Sequence, residues 1–281
     1  MKVGFIGAGN MGGAILKGAI TKKTLKAEDI NVVVRHKEKA ESLKAEFGVN
    51  VFEDICELTS ASDILFIGVK PYNFEEVMPQ IKQGLSADCT CNAKETLDDG
   101  KSLKLIVSMA AGITIDYMEK ALGSEQKIIR IMPNTPILVG EGMVSLTRNR
   151  NVTDEEVKII ERTFDGLGTV SEVSEEMIHC VIGVSGSSPA YTYMYIDGLA
   201  KAAQANGMDR QQALEFAAKS VIGAARMVME TGEEPDELCR KVCSPGGTTI
   251  EGVHYFEECD FKGIVGEGFQ RVVDKSKKMS E

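Results

Sequence analysis

The sequence has no run of apolar residues approaching the roughly 20 needed to cross a bilayer, so no membrane partner is expected. It has no long basic run either, and its formal net charge is −10. Sequence-independent nucleic-acid binding relies on clustered Lys and Arg, so no nucleic-acid partner is expected. A local basic pocket could still hold a small anion. Only three histidines occur, and His36, His179 and His254 are scattered. The seven cysteines are odd in number and lack framework spacing, which points to reduced thiols and a cytoplasmic setting. Cys89 and Cys91 are close, and Cys239 and Cys243 stand at i, i+4. Neither pair belongs to the four-ligand set of a structural zinc site, so no metal is expected. The opening residues read as a strand rather than as a secretory leader.

What is present supports a full core. Hydrophobic residues make up 43% of 281 positions, enough for one large or two ordinary domains. The organising stretch is Val3-Gly4-Phe5-Ile6-Gly7-Ala8-Gly9-Asn10-Met11-Gly12-Gly13-Ala14-Ile15. It starts as a short apolar run, turns on glycines, and continues with helical spacing. Gly7, Gly9 and Gly12 have G-x-G-x-x-G spacing in a strand–turn–helix context, the fingerprint of dinucleotide binding. Gly7 permits a tight turn, Gly9 clears the backbone for a pyrophosphate, and Gly12 lets helix and strand approach. The stretch from Ile6 through Gly7, Ala8, Gly9, Asn10, Met11 and Gly12 is therefore the expected cofactor-facing segment. Free N–H groups at the helix start would face the pyrophosphate.

Further along, residues 30–34 read as a buried strand ending at Arg35-His36-Lys37, with no acid until Glu38. NAD sites usually carry an acid at this point, while basic residues suit the 2′-phosphate of NADP. Arg35 and Lys37 are the expected phosphate ligands, with NADPH preferred and NADH possible; an exposed basic loop would read the same. Strands are predicted at 49–52, 63–69, 103–108, 128–132, 142–147 and 169–173, and helices at 10–21, 38–47, 73–84 and 154–167. Thr153 and Glu156 form a capping-box pattern before the last of these. Pro71, after Val69 and Lys70, takes the chain out of the sheet at a strand's carboxyl end, where ligands bind in doubly wound folds. Met109, Ala110, Ala111 and Gly112 could admit a flat ring, or could reflect tight helix–sheet packing. Pro133 and Pro136 stiffen a loop from which Asn134 is expected to project. Residues 89–100 read as a polar surface excursion.

From Glu175 onward strand patterns stop and helical periodicity takes over. Helices are predicted at 187–206 and 210–230. The second is rich in small residues, among them Ala213, Ala217, Ala218, Ser220, Gly223, Ala224 and Ala225, which permit close helix–helix contact. The turn Ser244-Pro245-Gly246-Gly247-Thr248-Thr249 follows, with Thr248 or Thr249 as a candidate cap for the next helix. A glycine-bared helix start with hydroxyls suits a carboxylate, although an ordinary helix connection uses the same residues.

Together these stretches closely resemble the pyrroline-5-carboxylate reductases. The resemblance rests on the opening glycine stretch, Val69-Lys70-Pro71, residues 108–113, residues 130–136, Ser185-Gly186-Ser187-Ser188-Pro189-Ala190-Tyr191, and residues 244–250. It implies an α/β chain: an N-terminal Rossmann-type dinucleotide-binding domain, residues 1–173, then an all-helical substrate-binding and dimerisation domain, residues 174–281. It further implies that Val69, Lys70 and Pro71 lie along NADP, and that Met109, Ala110, Ala111 and Asn134 border the nicotinamide. Ser244 and the amides of Thr248 and Thr249, with Gly247 in the same turn, would bind the substrate carboxylate. The Thr249 hydroxyl would meet the imine nitrogen as the catalytic contact. The implied partner is a small-molecule substrate, and the implied assembly is a homodimer or larger homo-oligomer. Departures from the family pattern are Ser188 for a usual Gly, Cys243 for a frequent Thr or Ser, and His179 for a frequent acid. The loop after Phe52 also lacks a common Asn.

Two other functions fit parts of the sequence. A Rossmann β-hydroxyacid dehydrogenase needs a general base, commonly a Lys at the head of the helical domain. Here the first lysine beyond Ser185 is Lys201, deep in the long helix. A non-enzymatic NADP-binding sensor would have no use for the 244–249 turn.

Overall fold

The computed structural model describes residues 1–86 and 104–280. The excursion expected at 89–100, with Cys89 and Cys91, lies outside them. The chain packs as two compact units, Met1–Gly186 with Val273–Glu281, and Ser187–Val272. This division falls later than the boundary expected after residue 173. Ile178 (fully buried), Val273 and Ser276 are all buried in the first unit, which draws 174–186 and 273–281 to it.

The first unit is built on eight strands: β1 (Val3–Ile6), β2 (Ile30–Val33), β3 (Asn50–Val51), β4 (Ile64–Ile67), β5 (Leu105–Ser108), β6 (Lys127–Pro133), β7 (Gly142–Arg148) and β8 (Gly168–Glu172). They form one sheet in the order β3-β2-β1-β4-β5-β6-β7-β8. All neighbours are parallel except β6 and β7. Helices of this unit are α1 (Asn10–Thr21), α2 (Lys37–Phe47), α3 (Ile55–Ser60), α4 (Phe74–Leu85), α5 (Ile115–Leu122), α6 (Asp154–Thr163) and α7 (Ile178–Val181).

Helices cover both faces of the sheet, so the central strands β1 and β4 carry no polar side chain. On one face Val3, Phe5, Val32, Phe66 and Val107 pack with α1 and α6; on the other Ile6, Leu65, Ile67 and Ile106 pack with α4 and α5. Phe5 and Phe66 are paired across β1 and β4 and stack at 5.0 Å. The capping box at Thr153 forms as the pattern predicts. Its helix is shorter than expected, ending at Thr163, because Phe164 turns into the core and Gly166 follows at a φ of 72°.

The second unit is helical throughout. It contains α8 (Ser188–Ala205), α9 (Arg210–Thr231), α10 (Pro235–Val242), α11 (Thr248–Glu258) and the first part of α12 (Phe261–Lys278). Ala200 of α8 and Ala213 and Ala217 of α9 are buried, so part of the small-residue face of α9 is used within the chain. Its later part, Gly223, Ala224 and Ala225, is exposed, as are Met194, Phe216 and Met229.

Candidate active site

In the first unit the strand order reverses beside β1, which lies between β2 and β4. The carboxyl ends of strands at such a reversal open a crevice. Here a cavity of about 280 Å³ is lined by Gly9, Asn10 and Met11 after β1, by Val69, Lys70 and Pro71 after β4, and by Met109, Ala110 and Ala111 after β5. All of these are expected cofactor residues. The cavity also takes in Gly68, Ala14, Thr135, Ile137 and Leu138, which the sequence reading did not single out. The last three lie on a 3-10 turn, Thr135–Val139. The Pro133 and Pro136 pair was the available signal, but it directed attention to Asn134. Ile6 and Ala8 are buried framework beneath the cavity rather than lining.

The three fingerprint glycines have three separate physical reasons. Gly7 has a φ of 86°, and its N–H donates to the Val33 carbonyl at 2.8 Å. A Cβ on Gly12 would lie 2.7 Å from the Gly7 carbonyl oxygen, so only glycine permits this helix–strand approach. A Cβ on Gly9 would meet nothing nearer than the Gly68 carbonyl oxygen at 3.9 Å. Packing therefore does not demand glycine at position 9; the space it leaves belongs to the cavity. Gly9 is also the N-cap of α1, and no side chain caps that helix. These features fit a dinucleotide whose pyrophosphate lies on the helix start.

Arg35 and Lys37 are exposed at the carboxyl end of β2. The Arg35 guanidinium donates to Asn73 Oδ1 at 3.2 Å, which directs it toward the chain that follows β4. Lys37 opens α2. Asn134 does not project from its loop as expected. It is buried, its Oδ1 accepts from the Met143 N–H (2.9 Å), and its Nδ2 donates to Ser185 O and Oγ (both 3.2 Å). A short amide beside unpaired backbone groups is drawn to them, and Thr135 takes its place at the cavity.

Behind the Met109–Ala111 wall lies a charged cluster. Arg130 of β6 is buried, and its Nη1 donates to Glu175 Oε1 at 2.9 Å. The same oxygen accepts from the Ile115 N–H at 2.9 Å. His179 Nδ1 and the Ser276 hydroxyl share a hydrogen bond of 2.9 Å. Burial holds the His179 imidazole below its ordinary value; the charges of Arg130 and Lys277 add to this, and Glu175 opposes it.

In the second unit, Ser244, Pro245, Gly246 and Gly247 make a turn closed by Gly247 N–H donating to the Ser244 carbonyl (3.0 Å). Gly246, at a φ of 70°, follows Pro245, the arrangement of a type II turn. The turn delivers Gly247 as the N-cap of α11, and no side chain caps that helix. The expected cap by Thr248 or Thr249 is thus not made: these residues are already the first two of the helix, and both are exposed. Lys201 pairs with Asp197 one turn back at 2.7 Å on an exposed surface, so its ammonium is not a free base. Among the described residues no group of three or more His, Cys, Asp or Glu side chains is placed to hold a metal ion. Among the described residues no helix is long and apolar enough to cross a membrane.

Residues 175–279 match the family described as "Pyrroline-5-carboxylate reductase dimerisation", and residues 2–90 match "NADP oxidoreductase coenzyme F420-dependent". The chain is 44% identical over 280 residues to the pyrroline-5-carboxylate reductase of Escherichia coli (strain K12), covering 100% of this chain and 98% of that one. It is 37% identical to that of Aquifex aeolicus (strain VF5), covering 99% and 97%. Among solved structures, the Plasmodium falciparum pyrroline carboxylate reductase with NADP bound superposes with a TM-score of 0.86 at 30% identity, over 100% of this chain and 98% of that one. The Coxiella burnetii pyrroline-5-carboxylate reductase does so with a TM-score of 0.87 at 31% identity, with the same coverage. A fingerprint turn at a strand reversal and an uncapped helix start behind Ser244 are thus found in a chain that matches these enzymes from end to end, and the chain belongs to the pyrroline-5-carboxylate reductase family.

Proposed function

We propose that the chain reduces the cyclic imine 1-pyrroline-5-carboxylate to L-proline with NADPH, the last step of proline biosynthesis, in the cytoplasm. The observation that carries this reading is the uncapped start of α11 at Gly247. Its free N–H groups, with the Ser244 hydroxyl, suit a carboxylate, because a helix start combines donors with a favourable dipole. The Thr248 and Thr249 amides belong to that start. The Thr249 hydroxyl, not engaged as a cap, accepts the N–H of the protonated imine. An imine carbon accepts hydride far more readily when its nitrogen is protonated. The chain therefore need supply no strong acid if it binds the iminium form.

Bound NADPH supplies the hydride. The chain's own part is to bind and orient. Gly9, Asn10, Met11 and Gly12 present the backbone of the α1 start to the pyrophosphate. Arg35 and Lys37 meet the 2′-phosphate, and Val69, Lys70 and Pro71 flank the dinucleotide. Met109, Ala110 and Ala111 offer a wall of small or flexible side chains to the nicotinamide. Fixing the ring by its carboxylate removes rotational freedom before reaction, which is catalysis by positioning.

The functional division follows the residues that carry it: 1–173 for NADP, and 174–281 for substrate and assembly. The chain works as a homodimer or larger homo-oligomer, in which helices of a second chain complete each reaction site. The exposed Met194, Phe216 and Met229 of the helical unit support this, since large apolar side chains left exposed in number are normally covered by a partner. An active monomer in light scattering at assay concentration would contradict it. The reaction is tested by following NADPH oxidation with and without the pyrroline acid. Oxidation dependent on the acid, with proline as product, is expected; its absence would overturn the assignment.

A further inference from the structure

The cavity wall formed by Met109, Ala110 and Ala111 runs into Gly112, and Gly112 bears directly on the segment 276–280. Gly112 has a φ of 81°, and a Cβ there would lie 2.6 Å from the Met279 carbonyl oxygen. Backbone meets backbone at this point, with no side chain between to absorb a shift. The segment is in turn anchored. Ser276 is buried and shares its hydroxyl hydrogen bond with His179 Nδ1 at 2.9 Å, and Val273, one turn earlier, is 4% exposed. On its far side the same wall leads to α5, whose first N–H, at Ile115, donates to Glu175 Oε1. The wall is thus gripped at Gly112 by Met279 and at Ile115 by Glu175. His179 lies one turn beyond Glu175 and ties the first grip to the element that makes the second. Neither His179 nor Ser276 lines the cavity.

We propose that the His179–Ser276 hydrogen bond braces the 109–112 loop against the nicotinamide half of the cofactor, making His179 a positioning residue for cofactor binding. The inference rests on reading the cavity as the NADP site. The brace uses neutral His179. Burial disfavours the imidazolium; so do Arg130 on β6 and Lys277 on α12, while Glu175 favours it. Nε and Nη2 of Arg130 have no hydrogen-bond partner among the described residues, so Glu175 meets only one edge of that guanidinium. A protonated His179 would place a second cation beside it. Because the folded value lies below the ordinary one, the unbraced state takes up the proton first. The neutral form is therefore held above the ordinary imidazole value of about 6.5; as pH falls through the lower folded value, the imidazolium sets a second cation beside Arg130 and the brace loosens.

The test is titration calorimetry of NADP⁺ binding to the purified oligomer at pH 7.5 and in steps below it, for wild type, His179→Asn, His179→Ala and Ser276→Ala, with melting curves on the same samples. Asparagine places a hydrogen-bonding group near the Nδ1 position and does not titrate. At pH 7.5, His179→Asn should bind as wild type does, and the two alanine variants about 3- to 10-fold more weakly, the range of one neutral hydrogen bond. On the acid side, wild type should fall toward His179→Ala as pH passes below the lowered His179 value, while His179→Asn loses less, its remaining loss reporting titration of the nucleotide itself. Turnover at saturating NADPH should be unchanged. Alanine variants that bind NADP⁺ like wild type, whatever their melting points, would overturn the brace. A His179→Asn acid-side loss equal to that of wild type would overturn the role of the imidazole. Failure of wild type to bind NADP⁺ at all would instead overturn the reading of the cavity.

Discussion

The side-chain amide of Asn134 ties its loop to a π-helical turn, Ile182–Gly186, 51 residues on in sequence, donating to both the carbonyl and the hydroxyl oxygen of Ser185. Its own oxygen accepts the Met143 N–H, so all three polar contacts are made inside the protein. Asn134 thus anchors the Pro133–Gly140 loop, whose Thr135, Ile137 and Leu138 line the cavity. Asn134→Asp keeps the acceptor for Met143 and sets an oxygen against the Ser185 carbonyl. A buried group left without its partner costs about 1–3 kcal/mol. For a chain of this size the melting point should fall by about 2–4 °C per kcal/mol. KM for NADPH should rise with it, since the cavity-lining loop loses its anchor. An unchanged melting point in Asn134→Asp would show that the Ser185 bonds do not hold the loop.

Gly9 and Gly12 belong to one motif but should fail in different ways. Gly12→Ala drives a Cβ against the Gly7 backbone at 2.7 Å, and neither backbone can yield cheaply. Overpacking of this kind costs about 1–3 kcal/mol, so the variant should melt earlier. Gly9→Ala makes only an ordinary contact at 3.9 Å with the Gly68 carbonyl oxygen, so its melting point should match wild type. Its methyl group enters the cavity instead, and NADPH binding should weaken by roughly tenfold or more, the effect of about 1.4 kcal/mol. Melting curves and NADPH titrations on both variants separate the two roles. Equal loss of stability in both would mean that Gly9 is a packing residue.

Cofactor choice should follow Arg35 and Lys37. Arg35 is already aimed by its bond to Asn73, and Lys37 stands at the start of α2. A hydrogen bond to a charged group contributes about 1.5–3 kcal/mol. Arg35→Ala with Lys37→Ala should therefore lower the NADPH efficiency by at least tenfold while leaving NADH nearly unchanged, using about 1.4 kcal/mol per factor of ten. If the ratio of the two efficiencies does not move, the selecting residues lie elsewhere.

What the sequence revealed follows from the range of the interactions involved. β1, the glycine turn and α1 were legible because an apolar run, three glycines and a helical repeat are contiguous. The Thr153–Glu156 box was legible for the same reason. α3 and α5 were not read, since six and eight residues are too few for periodicity to declare itself, although Asp54 and Thr114 do cap them. The inward turn of Asn134 is set by Ser185, and the brace at His179 by Ser276, 97 residues away; no local pattern announces either. The threonines after Gly247 suggested a cap from composition alone. The type II turn at Pro245-Gly246 decides otherwise, because it brings Gly247, not a threonine, to the capping position.

Thr249 makes no capping bond, which leaves its hydroxyl to the substrate. Its hydroxyl is proposed to accept the iminium N–H, and its amide to help hold the carboxylate. Thr249→Val keeps the branched shape and the amide and removes only the oxygen. Loss of a hydrogen bond to a charged group, about 1.5–3 kcal/mol, should lower the efficiency with the pyrroline acid roughly 10- to 150-fold. NADPH affinity should stay the same, because the hydroxyl is assigned to substrate. A capping threonine would instead contribute about 1 kcal/mol to stability and nothing to turnover of the folded enzyme. Thr249 is the second residue of α11 and caps nothing, so the melting point of Thr249→Val should match wild type. Kinetics and a melting curve on one preparation decide the matter. Normal turnover with a lowered melting point would reverse the assignment, leaving Thr249 a helix-stabilising residue and the imine nitrogen without its partner.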